Sequence, residues 1–200
     1  MHPNSAFRWE DREEIRAFVG QIGFGALFAQ TPDGPRVAHV PAIFLGDDRL
    51  GFHIARGNGI ARHLNGAEAL FVAQGPDAYI SPDWYGLADQ VPTWNYLAVE
   101  LQGIVRGMDR DTLADQVDRL SAAFETRLAP KPAWTREKMS PGLFDRMLGG
   151  IIGFTLDVTA WRGSKKLGQN KPEEARLAAA EALEANGQRA MAHLMRELPL

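Results

Sequence analysis

Apolar residues recur along this chain either at every second position or at every third and fourth, and the two periods divide it into strands and helices. Residues about 10–22 place Ile15, Phe18, Val19 and Ile22 on one helical face. Segments 24–31 and 36–45 read as strands joined by Pro32-Asp33-Gly34-Pro35, a strong turn signal. Gly46-Asp47-Asp48 turns the chain into a strand over 49–55, and a short helix over 60–64 leads to a strand over 69–74. A long strand over 94–105 has Leu97, Val99, Leu101, Gly103 and Val105 on one face, with Tyr96, Glu100 and Gln102 on the other. Leu113, Val117, Leu120, Phe124 and Leu128 predict a helix over about 111–128, ended by Ala129-Pro130-Lys131-Pro132. Ser140 as N-cap and Pro141 at the first helical position start a shorter helix near 141–148. A last strand over 153–161 alternates Phe154, Leu156, Val158 and Ala160, and two alanine-rich helical segments over about 172–198 divide near Asn186-Gly187.

Strands dominate residues 24–106 and are joined by short turns, so the sheet is antiparallel rather than built of βαβ crossovers. About six strands with few helices between them favour a closed or partly closed barrel, which removes exposed edges. At 200 residues and 45% hydrophobic, the chain can bury one substantial core. It reads as one domain over 1–200, with a barrel core over about 24–161 and a helical C-terminal segment over about 172–198. A net charge of −3 argues against broad attraction to nucleic acid or anionic membrane and leaves room for a local basic patch. The absence of cysteine excludes disulfides, thiolate metal sites and cysteine nucleophiles. No run of about 18 apolar residues appears, and the first ten residues lack the apolar core of a signal peptide, so the expectation is a soluble cytoplasmic protein without a membrane span. No strand is followed by a Gly-x-Gly-x-x-Gly or Walker-type sequence.

Three segments carry candidate chemistry. In His53-Ile54-Ala55-Arg56-Gly57-Asn58-Gly59-Ile60-Ala61-Arg62-His63 a strand ends, two glycines allow close backbone approach and a short helix begins. Its N–H groups with Arg56 and Arg62 suit phosphate, and a solvated basic turn is the alternative. The stretch from Tyr79 to Tyr96 packs Trp84, Trp94 and other aromatics with two prolines and with Ser81, Thr93 and Asn95. That mixture suits a flat heteroaromatic ligand, a barrel corner or a homodimer seam. Arg162-Gly163-Ser164-Lys165-Lys166-Leu167-Gly168-Gln169-Asn170-Lys171 follows the last strand. Its amides could read the polar edge of a heterocycle and its lysines could balance an anion, or it is an ordinary basic turn leading into a helix. Histidines 39, 53 and 63 match no standard metal-ligand spacing, and no metal is expected. The closing helical pair resembles a helix-turn-helix in outline only. Its apolar stripe of Met191, Leu194, Met195 and Leu198 favours core or dimer packing over DNA reading.

Tyr79-Ile80-Ser81-Pro82-Asp83-Trp84-Tyr85, Val91-Pro92-Thr93-Trp94-Asn95-Tyr96, Ile152-Gly153-Phe154 and Lys166-Leu167-Gly168-Gln169-Asn170 together resemble the signatures of the PaiB-like family. Its members are called FMN-binding negative transcriptional regulators, and the resemblance runs from about Phe7 to Leu183. It implies an α+β, mainly β fold: a six-stranded antiparallel split β-barrel with flanking helices and a helical C-terminus. It also implies a homodimer with FMN at the subunit interface. Arg56, Asn58 and Arg62 match the family's Ala-Arg-Ala-Asn-Pro-x-x-Arg segment and would place the FMN phosphate at the strand-to-helix turn. Trp94 and Asn95 would flank the isoalloxazine, and Lys166, Gln169 and Asn170 would lie near the site or the dimer seam. Gly57 and Gly59 depart from the usual Ala and Pro, Gly168 from Ser, and Lys171 from Arg. The function implied is a flavoprotein acting as a regulator, with any DNA or regulatory partner not visible in the residues. A flavin-dependent oxidoreductase using NAD(P)H is the alternative, with Tyr96, His39 or Tyr79 as proton donor. A third reading has the pocket holding haem or serving only as a dimer seam.

Overall fold

The computed structural model describes residues 2–198; Met1, Pro199 and Leu200 of the expected 1–200 domain lie outside the described residues. A two-residue strand β1 (Arg8–Trp9) and helix α1 (Arg12–Ile22) precede strands β2 (Phe24–Thr31), β3 (Gly34–Phe44), β4 (Arg49–Ala55), β5 (Glu68–Ile80) and β6 (Thr93–Gly107). Helices α2 (Arg110–Glu125) and α3 (Leu143–Leu148) lead to β7 (Ile151–Lys166), and α4 (Glu173–Ala185) and α5 (Arg189–Arg196) close the chain. The strands pair in the order β1-β7-β4-β3-β2-β5-β6, and β6 also pairs with β7. The six long strands therefore form a closed cycle of pairings, the split-barrel class expected, with β1 added at the end of β7. No described helix is long and apolar enough to cross a membrane.

Two elements run further than periodicity implied. β5 continues through Gly75-Pro76 to Ile80, where the sequence suggested a stop at 74. β7 extends to Lys166, because Gly163 and Ser164 pair with Trp9 and Arg8 of β1; the basic segment from Arg162 is the end of a strand, not a turn after one. α3 also starts differently. Gly142, at φ 72, occupies the N-cap, and Ser140 supplies a backbone carbonyl to Leu143 rather than a side-chain cap.

The chain packs into two units, a central one of residues 16–73 and 100–161 and a terminal one of residues 1–15, 74–99 and 162–200. In the central unit Phe52 stacks on Phe154 with ring centroids 5.6 Å apart, among fully buried Leu27, Val40, Leu50, Phe71, Leu101 and Leu156. Each such side chain contributes about 1.5–3 kcal/mol by leaving water. Gly103 is required here, because a Cβ at that point would lie 2.0 Å from the Asp157 carbonyl oxygen. Helix α2 is capped by Asp109, whose carboxylate accepts from the Thr112 N–H at 2.8 Å. Its apolar stripe buries only in part: Leu113 is covered, while Val117, Leu120 and Phe124 are half-covered and Leu128 is exposed. In the terminal unit α4 and α5 bury Ala179, Ala180, Leu183, Met191 and Met195, the core packing expected of the closing pair.

Candidate functional site

The strand-to-helix segment after β4 folds into a compact turn, with Asn58 N–H on the Ala55 carbonyl at 2.9 Å and the Asn58 side chain accepting from the Ile60 N–H at 3.1 Å. The expected helix is a single 3-10 turn over Ala61–His63, and the Ile60, Ala61 and His63 N–H groups already have acceptors. The amides of Ile60, Ala61 and His63 are thus spent within the turn and are not what it offers to an anion. Side chains are. A cavity of about 220 Å³ is lined by Arg62, Asn58 and His63 together with Thr31, Asp33 and Arg36 of the β2–β3 hairpin. Sequence reasoning missed Arg36, whose only signal is a cation on the exposed face at the start of a strand.

Arg56 is placed otherwise. Its Nε donates to the Gly149 carbonyl at 2.8 Å and its Nη2 to the Ile151 carbonyl at 3.3 Å, and it does not line the cavity. The guanidinium ties the end of β4 to the turn entering β7. A larger cleft of about 410 Å³ is bordered by Asp47, Asp48 and Asp157, a sign unsuited to phosphate. In the same unit His53 meets Gln116, with Nδ1 and Oε1 3.1 Å apart; Gln116 is fully buried and its Nε2 has no hydrogen-bond partner among the described residues. Burial holds the His53 pKa below its ordinary value, opposed by the Gln116 hydrogen bond.

In the terminal unit Trp94 and Asn95 are neighbours on β6 and so face opposite sides. Trp94 is 54% exposed and meets Tyr79 edge to face at 6.1 Å, an aromatic surface open to a partner or a flat ligand. Asn95 is 1% exposed; its Nδ2 donates to the Met195 sulfur at 3.3 Å and its Oδ1 has no partner among the described residues. The pair does not flank one ring in this arrangement. Gln169 is likewise spent on its own loop: Oε1 accepts from the Leu167 N–H at 2.7 Å, and Nε2 donates to the Ala6 and Lys165 carbonyls. That loop bends at Gly168 with φ +83, a conformation that disfavours the serine usual in the resembling family. Asn170 is exposed, and Lys166 donates to the Thr93 hydroxyl.

Residues 1–160 match the family model described as "Putative FMN-binding domain". The chain is 33% identical over 177 residues to the protease synthase and sporulation protein PAI 2 of Bacillus subtilis, covering 86% of this chain and 84% of that one. The chain belongs to the PaiB-like FMN-binding family. FMN is the cofactor that this membership assigns. Among solved structures, an FAD and haem binding protein from Mycobacterium smegmatis is similar at a TM-score of 0.58 and 19% identity, over 80% of this chain and 73% of that one. A conserved hypothetical protein from Mycobacterium tuberculosis is similar at a TM-score of 0.61 and 14% identity, over 86% and 94%. At those identities the likeness is one of fold.

Proposed function

We propose that this PaiB-like protein is an FMN-binding homodimer that serves as a negative regulator in the cytoplasm, with the FMN phosphate in the cavity between Arg36, Asn58 and Arg62. Two guanidiniums and an amide line one cavity against a single carboxylate, that of Asp33, and this net positive lining is the observation that carries this reading. At about 220 Å³ the cavity is smaller than the ~300 Å³ at which whole-ligand sites begin, so it suits a phosphate and part of the ribityl chain rather than the entire flavin. Bound there, FMN would supply one- or two-electron redox chemistry, while Arg36 and Arg62 hold its phosphate by charge. Trp94 is a flat, exposed surface of the terminal unit that we assign to an aromatic ligand or to a dimer seam. In this reading Gln169 and Asn95 brace the terminal unit, and Arg56 braces the end of β4.

A second copy is favoured by the outward face of β2 and β3. Phe24, Phe28 and Val37 are 53%, 42% and 46% exposed, and Phe28 stands directly opposite Val37 across the hairpin. Direct DNA reading is not part of the proposal. On α5 Arg196 pairs with Glu184 and His193 meets Glu197, which leaves Arg189 as its one cation without an ion pair among the described residues, too little for a reading helix. The test is a titration of the purified protein with FMN, followed by quenching of flavin fluorescence. Saturable binding with one flavin per chain supports the proposal, and no binding at micromolar FMN overturns it.

A further inference from the structure

The end of β7 and the loop after it bring three lysines into the terminal unit, and they are treated unequally. Lys165 is compensated: its Nζ meets the Glu14 carboxylate at 2.7 Å and lies 4.3 Å from the centre of the Trp9 ring. Lys166 and Lys171 are half-buried, and among the described residues neither has a carboxylate in ion-pair distance. Lys166 donates to the Thr93 hydroxyl and lies 5.7 Å from the Phe7 ring centre. Lys171 donates to the Gln90 side-chain oxygen and lies 5.0 Å from the Tyr85 ring centre. The Tyr85 phenol supplies no negative charge, since burial pushes its pKa up.

Two half-buried ammonium groups that reach Gln90 and Thr93, three residues apart on one segment, without a carboxylate, form an arrangement that favours an added anion. The donors needed are present. Each ammonium has three N–H bonds and uses one on the named oxygen. The Thr93 hydroxyl accepts from Lys166, so its own hydrogen is left to donate. Burial first, and the Lys171 charge second, hold Lys166 below the usual lysine pKa. The aromatic rings under both ammoniums restrict where they point, so the donors are preorganised rather than swept through solvent.

We propose that Lys166, Lys171 and the Thr93 hydroxyl form an oxyanion site for the phosphate or carboxylate of a second small molecule, distinct from FMN. The site does not depend on where the FMN phosphate lies. Its occupant is an anionic metabolite of modest size, and binding it is the effector or reactant role that the flavin alone cannot fill.

The test uses the full chain saturated with FMN, probed with inorganic phosphate and, separately, with acetate, against chloride at matched ionic strength. Phosphate is expected to raise the melting temperature saturably and to raise the Lys166 pKa, read by NMR of the methylated lysines. K166Q/K171Q is expected to weaken phosphate binding by about tenfold or more while changing FMN affinity less than about twofold, and K171R is expected to restore most of the response. A stronger response to acetate than to phosphate assigns the site to carboxylates. An undiminished phosphate response in the double variant, or an unmoved Lys166 pKa in the wild type, overturns the proposal. So does displacement of phosphate by FMN with a parallel loss of FMN affinity in the double variant, which would give the lysine pair to the cofactor. If the double variant fails to fold, the wild-type pKa measurement and K171Q alone decide.

Discussion

Replacing Arg62 by alanine tests the phosphate assignment most directly, because riboflavin is the same ligand without the phosphate. Arg62 is exposed and already donates its Nε–H to His63 at 2.9 Å, leaving the two terminal nitrogens for an anion. A charge-assisted hydrogen bond of that kind is worth about 1.5–3 kcal/mol, and exposure trims it to about 1–2. Arg62→Ala should therefore raise the FMN dissociation constant about five- to thirtyfold and leave that of riboflavin within about twofold. Arg36→Ala should do the same to a similar degree, although the sequence did not single it out, and the preference for FMN over riboflavin should shrink with added salt. Arg56→Ala is the control. It removes two bonds to the carbonyls of Gly149 and Ile151, so it should lower the melting temperature without changing that preference. Flavin-fluorescence titrations with both ligands decide it. Equal weakening of FMN and riboflavin in Arg62→Ala and Arg36→Ala, or a phosphate-selective loss in Arg56→Ala alone, would refute the placement.

The exposed β2–β3 face gives a prediction about assembly: Phe28→Asp should convert the dimer to a monomer in sedimentation at micromolar concentration. A two-fold seam loses the ring twice, about 4–6 kcal/mol or three to four decades in dissociation constant, and an undisturbed dimer would place the seam elsewhere. The second concerns acid. Because His53 is held below its ordinary pKa of about 6.5, the unfolded chain takes up a proton there that the folded chain resists, so His53 favours the fold fully above about pH 6.5 and less as pH falls. Chemical denaturation between pH 7.5 and 5.5 should show stability falling by up to ~1.4 kcal/mol per pH unit, a slope that His53→Gln should flatten; the same slope in the variant would remove His53 from the account.

Much of the architecture was legible because the barrel strands carry alternation that no other structure tolerates. Strands 24–31 and 49–55 were read at the bounds the structure shows, and Leu97 to Val105 bury on the face their spacing assigned. Boundaries failed where local and long-range preferences disagree. Gly75-Pro76 reads as a breaker but β5 runs through it, and the cationic run from Arg162 reads as a solvated turn although two residues of β1 hold it in a ladder. Gln116 was invisible for a similar reason: a polar side chain beside an apolar stripe looks solvated, yet it is buried against His53. Arg36 and the Lys171–Gln90 contact depend on loops that close over long sequence separations, which a one-dimensional pattern does not encode.

The motif residues divide by what their polar atoms already do, and that division decides what a mutation can report. Gln169 spends both ends of its amide on backbone groups, Arg56 spends its guanidinium on two carbonyls, and Asn95 is sealed beneath Met195. Removing Gln169 or Arg56 leaves loop backbone groups unpaired, a cost of about 1–3 kcal/mol that falls on folding before it falls on ligand. Arg62, Arg36 and Trp94 keep functional surface uncommitted, so their loss is felt mainly by whatever binds there. A scan of the Lys166–Asn170 motif that read only flavin retention would therefore score Gln169 as a ligand contact when its loop had simply come undone. Pairing each flavin titration with a melting curve separates the two: binding residues move the affinity at constant stability, and loop residues move both.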